Sequence, residues 1–182
     1  MSATPILSIV GYSNSGKTTL MEKLVSGLVA KGLRIATIKH SHHQPEMDTP
    51  GKDSWRHKQA GASTSLLVGP EKMLMVSDVD ETLNPELLTA RLFSNYDLVL
   101  VEGYASLAGS KIEVVRAERS QELRCNEDDL IAVATDISDF NVAVPLLDLN
   151  HPDAVIDFIL SWMKEVGECR AIALKYRHAA NP

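Results

Sequence analysis

Apolar positions fall into short runs separated by stretches of helical spacing. Ile6-Leu-Ser-Ile-Val10 reads as a buried strand, and Leu20, Leu24 and Leu28 then recur on one helical face. That spacing predicts a helix from about Gly16 to Ala30, stopping near Gly32. Arg34–Lys39 reads as a second strand, and Asp53–Ala60 as a short helix ending before Gly61. Ser63–Val68 and Met73–Val76 flank Gly69-Pro-Glu-Lys72, the pattern of an antiparallel hairpin or of two adjacent strands. Asn84-Pro85 opens a helix with Leu87, Leu88 and Leu92 on its apolar face. Tyr96–Glu102 is apolar without alternation, the mark of a strand buried on both faces. Ile112–Val115, Leu130–Ala134 and Val144–Leu149 read as further strands. Pro152–Lys164 reads as the last helix, with Val155, Ile156, Ile159, Leu160 and Met163 inward. Beyond Gly167 the chain either frays or makes a short extra helix.

Strands alternating with helices predict an α/β fold, a mainly parallel sheet with helices on both faces. Ligands of such sheets bind beyond the carboxyl ends of the strands. A length of 182 residues suits one domain, here residues 1–167, followed by a C-terminal tail, residues 168–182. The formal net charge of −6 argues against a general nucleic-acid or anionic-membrane surface, though not against a local basic pocket. No leader-like or membrane-length apolar stretch stands out, so the cytoplasm is the expected setting. Cys125 and Cys169 form no metal-ligand spacing and read as free thiols.

The most specific local signal is Gly11-Tyr-Ser-Asn-Ser-Gly-Lys-Thr18. It is a complete phosphate-binding loop set between the first strand and the first helix. Gly11 and Gly16 allow backbone angles that a side chain resists. The N–H groups of Ser13, Asn14, Ser15 and their neighbours then curl around phosphates. Lys17 reaches the β/γ oxygens, and Thr18 offers a hydroxyl to Mg²⁺. A nucleotide site follows, with neither the base nor the purpose defined.

Other candidates sit just after strands. Glu102 closes an apolar strand, where such a protein needs a second carboxylate to bind Mg²⁺ or orient water. Asp97 begins that strand and belongs at the opposite end. The stretch after the second strand holds Lys39, His40, His42, His43, Asp48, Lys52 and Asp53. It reads as a metal- or water-orienting carboxylate (Asp53 or Asp48) with a phosphate-facing lysine, as transition-metal binding by the histidines, or as a solvated loop. Lys17 and Asp53 are the candidate catalytic residues. Asp136 ends a late strand, where a carboxylate accepts guanine N1–H and 2-amino donors together; Thr135-Asp136 also suits a plain turn. Asp148 and Asn150 read as caps of the last helix. Arg56, His57 and Lys58, with Arg116 and Arg119, are either surface charges or a pocket for a second phosphorylated ligand.

The loop, Ile38-Lys-His-Ser-His-His43, Pro50-Gly-Lys-Asp-Ser54, Ala60-Gly-Ala62, Leu98-Val-Leu-Val-Glu-Gly103 and Ala132-Val-Ala-Thr-Asp136 occur in an order that resembles the molybdopterin-guanine dinucleotide biosynthesis protein B family (MobB). The resemblance covers about residues 5–165 and implies a P-loop NTPase-like fold that binds GTP with Mg²⁺ and hydrolyses it weakly. It further implies a homodimeric adapter that assists the guanylyltransferase of molybdenum-cofactor biosynthesis, with molybdopterin as a further ligand. On the matching positions, Gly11 to Thr19 would hold phosphates, Thr18 and Glu102 the Mg²⁺, and Asp136 the base. The His40–Asp53 stretch would face the γ-phosphate or the pterin. The Leu66–Val76 hairpin is the expected dimer interface. Two rival functions stay open. One is a small-molecule kinase with a lid in Gly109–Arg124, which carries Arg116, Arg119 and Arg124. The other is a GTP-dependent nickel-delivery protein that uses the histidines.

Overall fold

A computed structural model of the chain describes residues 4–41, 43, 48–79, 83–106 and 108–179, with side chains through residue 167 of the last helix. It divides into two compact units, one comprising residues 1–40 and 85–182, the other residues 41–84.

The larger unit is built on a six-stranded sheet in which every pairing is parallel. Its strands are β1 (Ile6–Val10), β2 (Ile35–Lys39), β5 (Leu98–Glu102), β6 (Lys111–Val115), β7 (Leu130–Thr135) and β8 (Leu146–Asp148), in the order β2-β5-β1-β6-β7-β8. Side chains alternate across the sheet. Leu7, Ile9, Leu98, Leu100, Ile112, Val114, Ala132 and Ala134 face α1 (Lys17–Ala30) and α4 (Pro152–Ala179), which supply Leu24, Leu28, Ile156 and Ile159 to one core. On the opposite face, Val99 and Val101 meet Phe93 and Tyr96, which follow α3 (Pro85–Leu92). Val10, Val115 and Val133 are covered there by Leu123, Ile137, Phe140 and Val144. Helices therefore cover both faces, as expected, though long connections complete the second.

α1 stops where expected. Gly32 has φ 87, Gly32 N–H donates to Val29 O, and Leu33 N–H reaches back to Leu28 O, which satisfies the last carbonyls. Two boundaries differ from expectation. α4 runs on to Ala179 rather than stopping near Lys164, because a lone glycine, Gly167, costs only about 1 kcal/mol amid good helix formers. β8 is shorter than expected and begins after Pro145, which has no N–H for the ladder and contributes only its carbonyl, to Val133 N–H.

The smaller unit contains α2 (Asp53–Gln59) and an antiparallel hairpin of β3 (Thr64–Val68) and β4 (Met73–Ser77). Lys58 binds α2 to the hairpin, since its ammonium donates to Ala62 O, Ser63 O and Asp78 Oδ1 at 2.7–3.0 Å. Lys58, read from sequence as either a surface charge or part of a basic pocket, is thus a structural tie. The pairs Leu66–Met75 and Val68–Met73 share one hairpin face, and all four side chains are exposed.

α1 and α4 pack tightly at Gly27, where an added Cβ would run into Ile156 Cδ1. In the wild type, the roughly 1 kcal/mol that alanine adds to helix stability is offset by the repacking it forces on Ile156. Ile156→Val removes the offending methyl group. Gly27→Ala should therefore be more favourable in the Ile156→Val background than alone, by about 1 kcal/mol in urea unfolding. Strict additivity of the two changes would contradict this packing account.

Candidate functional site

β1 ends at Val10, and the chain turns at once through Gly11 into the loop that opens α1. The turn is tight. Gly11 has φ 135, and a Cβ there would sit 2.5 Å from the Val114 carbonyl oxygen on β6. Gly16, with φ 95, forms the N-cap of α1. Asn14 also has a positive φ, 63, in the left-handed region that asparagine enters more readily than other non-glycine residues though less freely than glycine. Tyr12, Ser13 and Asn14 are exposed, Ser15 is buried, and Thr19 is exposed in the first turn of α1.

Lys17 folds back over the loop, its Nζ donating to Tyr12 O at 2.7 Å. Burial pushes its ammonium below the ordinary lysine range; Glu102 opposes the shift, and Arg124 and Lys39 reinforce it. Thr18 Oγ1 donates to Glu102 Oε1 at 2.9 Å. Parallel register brings these groups together, because Glu102 is paired with Ile9 on β1 and with Lys39 on β2. Lys39 Nζ lies 3.2 Å from the same Oε1, a cation beside the carboxylate. His40 follows, with its ring 4.2 Å from that of Tyr104.

The residues fit a Mg-nucleotide. Ser15 Oγ is buried in the loop with no hydrogen-bond partner among the described residues. A threonine hydroxyl beside a carboxylate is an oxygen donor set suited to a hard cation that keeps several waters. Thr18 and Glu102 would hold the metal, whose chemistry is charge neutralisation at phosphate oxygens.

Asp136 closes β7, at the same sheet edge as the loop. Its Oδ1 accepts Ala117 N–H at 2.8 Å, and Oδ2 lies 3.4 Å from Arg116 Nη1, a long contact. Ile137 N–H donates to Thr135 Oγ1, so the turn reading of this segment holds geometrically. Beside Asp136 is a pocket of about 300 Å³ lined by Ser138, Leu146, Leu147, Asp148 and Asn150 among others. Asp148, expected from sequence to cap α4, bonds instead to residues ahead of the helix, which starts at Pro152. It accepts Asn150 N–H and pairs with His151 Nδ1 at 2.6 Å, and these hydrogen bonds, His151 first, hold its carboxyl below the usual range. Asp97 lies at the opposite edge, accepting Arg34 N–H.

Asp53 and Asp48 belong to the smaller unit. Asp53 is the first residue of α2, and Asp48 accepts Thr49 N–H and Ser54 Oγ–H. His42 lies outside the described residues. Among the described residues, no three His, Cys, Asp or Glu side chains cluster as a metal site.

A scan against family models matches residues 6–136 to MobB, molybdopterin guanine dinucleotide synthesis protein B. The chain belongs to the MobB family. It is 39% identical over 160 residues to the molybdopterin-guanine dinucleotide biosynthesis adapter protein of Haemophilus influenzae, covering 87% of this chain and 89% of that one. It is 36% identical over 167 residues to the adapter protein of Escherichia coli, with 88% and 94% covered. A crystal structure of Bacillus subtilis MobB superposes with a TM-score of 0.69 at 27% identity, over 86% of this chain and 96% of that one. The MobB fold is thus P-loop NTPase-like here. No helix among the described residues is long and apolar enough to cross a membrane.

Sequence reasoning missed two buried ions on β6. Glu113 is 0% exposed and accepts Arg124 N–H at 2.6 Å and Cys125 N–H at 3.0 Å. Lys111 is 1% exposed and bonds Asp129 at 3.0 Å. Two charges in the strand Lys-Ile-Glu-Val-Val were the available signal, since alternating charges in a central strand need partners. Glu113 also acts on Cys125, whose thiol is raised to about 11, first by burial and then by that carboxylate. In a Cys169→Ser background, Cys125 should react slowly with a disulfide reagent at neutral pH and accelerate as pH rises toward that value. Glu113→Gln should move the acceleration to lower pH. An unchanged pH–rate profile would contradict the assigned cause.

Proposed function

We propose that this chain is a Mg²⁺-dependent GTP-binding adapter in molybdopterin guanine dinucleotide biosynthesis, with at most slow GTPase activity. The observation that carries the reading is the Thr18–Glu102 contact beside a strained, glycine-built phosphate loop, in a MobB-family chain whose curated relatives are named as adapters of that pathway. The loop, residues 11–19, would hold the phosphates, and Lys17 would neutralise them. A polyanion favours the charged form that burial of Lys17 resists. Asp136 would read guanine. Each carboxylate oxygen accepts more than one donor, so the bond from Ala117 leaves capacity on Oδ1, and among the described residues Oδ2 has only the long Arg116 contact. Partners of the reading are molybdopterin and the guanylyltransferase of the pathway.

Titration calorimetry with GTP and ATP tests this. Lys17→Ala should abolish GTP binding while leaving the thermal midpoint near that of the wild type; undiminished GTP affinity would overturn the phosphate-site assignment. Glu102→Gln should weaken the Mg²⁺ dependence of binding. Asp136→Asn should lower GTP affinity by about tenfold or more and leave the weaker ATP binding little changed. Equal losses for the two nucleotides would mean that Asp136 does not read the base.

The same reading includes a homodimer. The exposed hairpin face of Leu66, Val68, Met73 and Met75 is an apolar surface of the kind that a second copy covers. Met73→Asp combined with Val68→Asp should shift sedimentation from dimer to monomer with the nucleotide site intact. A dimer that survives both changes would place the interface elsewhere.

A further inference from the structure

The connection from β6 to β7 returns to the phosphate loop. Arg119 Nε donates to Ser13 O at 2.8 Å, and Arg124 Nη1 donates to Gly11 O at 3.2 Å. Both arginines are held from their own side. Arg119 N–H and Ser120 N–H close a turn on Arg116 O, at 2.8 and 3.0 Å. Arg124 N–H is fixed by the fully buried Glu113, which also takes the next N–H. Neither guanidinium is spent on a carboxylate in these bonds; each is spent on a loop carbonyl.

The consequence follows from peptide geometry. A trans peptide directs its C=O and N–H to opposite sides of one plane. A guanidinium on the Ser13 carbonyl therefore fixes the direction of Asn14 N–H, and one on the Gly11 carbonyl fixes that of Tyr12 N–H. A charged donor also polarises the peptide it binds and strengthens the N–H on the other side. Asn14 is also the non-glycine residue of the loop with a left-handed backbone, at φ 63, so the peptide that Arg119 grips is the one that needs holding.

We infer that Arg119 and Arg124 are positioning residues that hold the phosphate loop in its anion-receiving form by hydrogen bonds to its carbonyls, with Glu113 as the buried anchor of the segment. The inference deepens the nucleotide-binding reading and rests on it for its binding arm. It separates these arginines from a lid that reaches over a terminal phosphate. Arg119 is the cleaner probe, because Arg124 also lowers the Lys17 pKa whereas Arg119 is not among the charges acting on it.

The test compares wild type, Arg119→Ala, Asn14→Gly and the double variant. Loop amide shifts and hydrogen exchange are measured in nucleotide-free protein, and GDP and GTP affinity by calorimetry. Arg119→Ala should move the Asn14 and Ser15 amide signals and speed their exchange without ligand. It should also weaken GDP and GTP alike, by about tenfold. Asn14→Gly should recover a measurable part of that loss in the double variant, because glycine adopts the left-handed angle more freely than asparagine. A loss confined to GTP with no rescue by Asn14→Gly would overturn the inference and make Arg119 a direct phosphate contact. Unchanged amides and unchanged affinity would overturn it as well. If wild type bound neither nucleotide while the amide changes and their reversal by Asn14→Gly appeared, the positioning role would stand and the nucleotide reading would fail.

Discussion

The site depends on the parallel register of β5 beside β1 and β2. It places Glu102 level with Ile9 and Lys39, at the edge where β1 gives way to the loop. A slip of one residue would turn Glu102 to the other face of the sheet. Its carboxylate would then be lost from Thr18 and replaced by an apolar side chain. The register is secured by two-sided burial: Leu98 and Leu100 pack under α1 and α4, while Val99 and Val101 pack against Phe93 and Tyr96. The same hydrophobic burial that fixes the sheet therefore aims Glu102 at Thr18. Mutations deep in β5 would act on the site through register without touching a ligand.

Legibility in the sequence tracked the distance over which each feature is determined. The phosphate loop and the α1 stop at Gly32 are set by neighbours a few residues away, and both were readable. Glu102 was readable because an acid that closes an unbroken apolar run in a parallel sheet lands at the carboxyl edge, where ligands bind. The arginine contacts were not readable. Arg119 lies 106 residues from Ser13 and Arg124 lies 113 from Gly11, and no local pattern announces such pairings. Glu113 was hidden for a related reason. A charge in a strand reads as solvent-facing unless its partners are known, and here those partners are backbone N–H groups of a distant turn. Lys58 was open between a surface charge and a pocket for the same reason, since the two carbonyls and the carboxylate that take its ammonium are not visible in local sequence.

Loop strain and buried charge are coupled on β6. Val114 O presses so close to Gly11 that only glycine fits, and the next residues of the same connection bring Arg119 and Arg124 onto the loop. An unpaired carboxylate at Glu113 would be costly in this interior. Two N–H donors offset that cost and in doing so fix the direction in which the arginine segment leaves.

The electrostatics of the edge follow from these placements. The chain as a whole is acidic, at −6, yet Lys17, Lys39, Arg116, Arg119 and Arg124 gather around one loop. Within that edge each cation has a partial partner: Glu102 for Lys39, Asp136 for Arg116, loop carbonyls for Lys17, Arg119 and Arg124. Carbonyls compensate a charge only partly, which is consistent with the depressed Lys17. Arg119 and Arg124 hold the loop through its carbonyls, while Lys17 rests on a carbonyl that offsets its charge only partly. On the proposed reading, a polyanion would meet donors already oriented and a lysine whose charge it would stabilise. The binding energy that would otherwise order the loop is then available to discriminate among ligands.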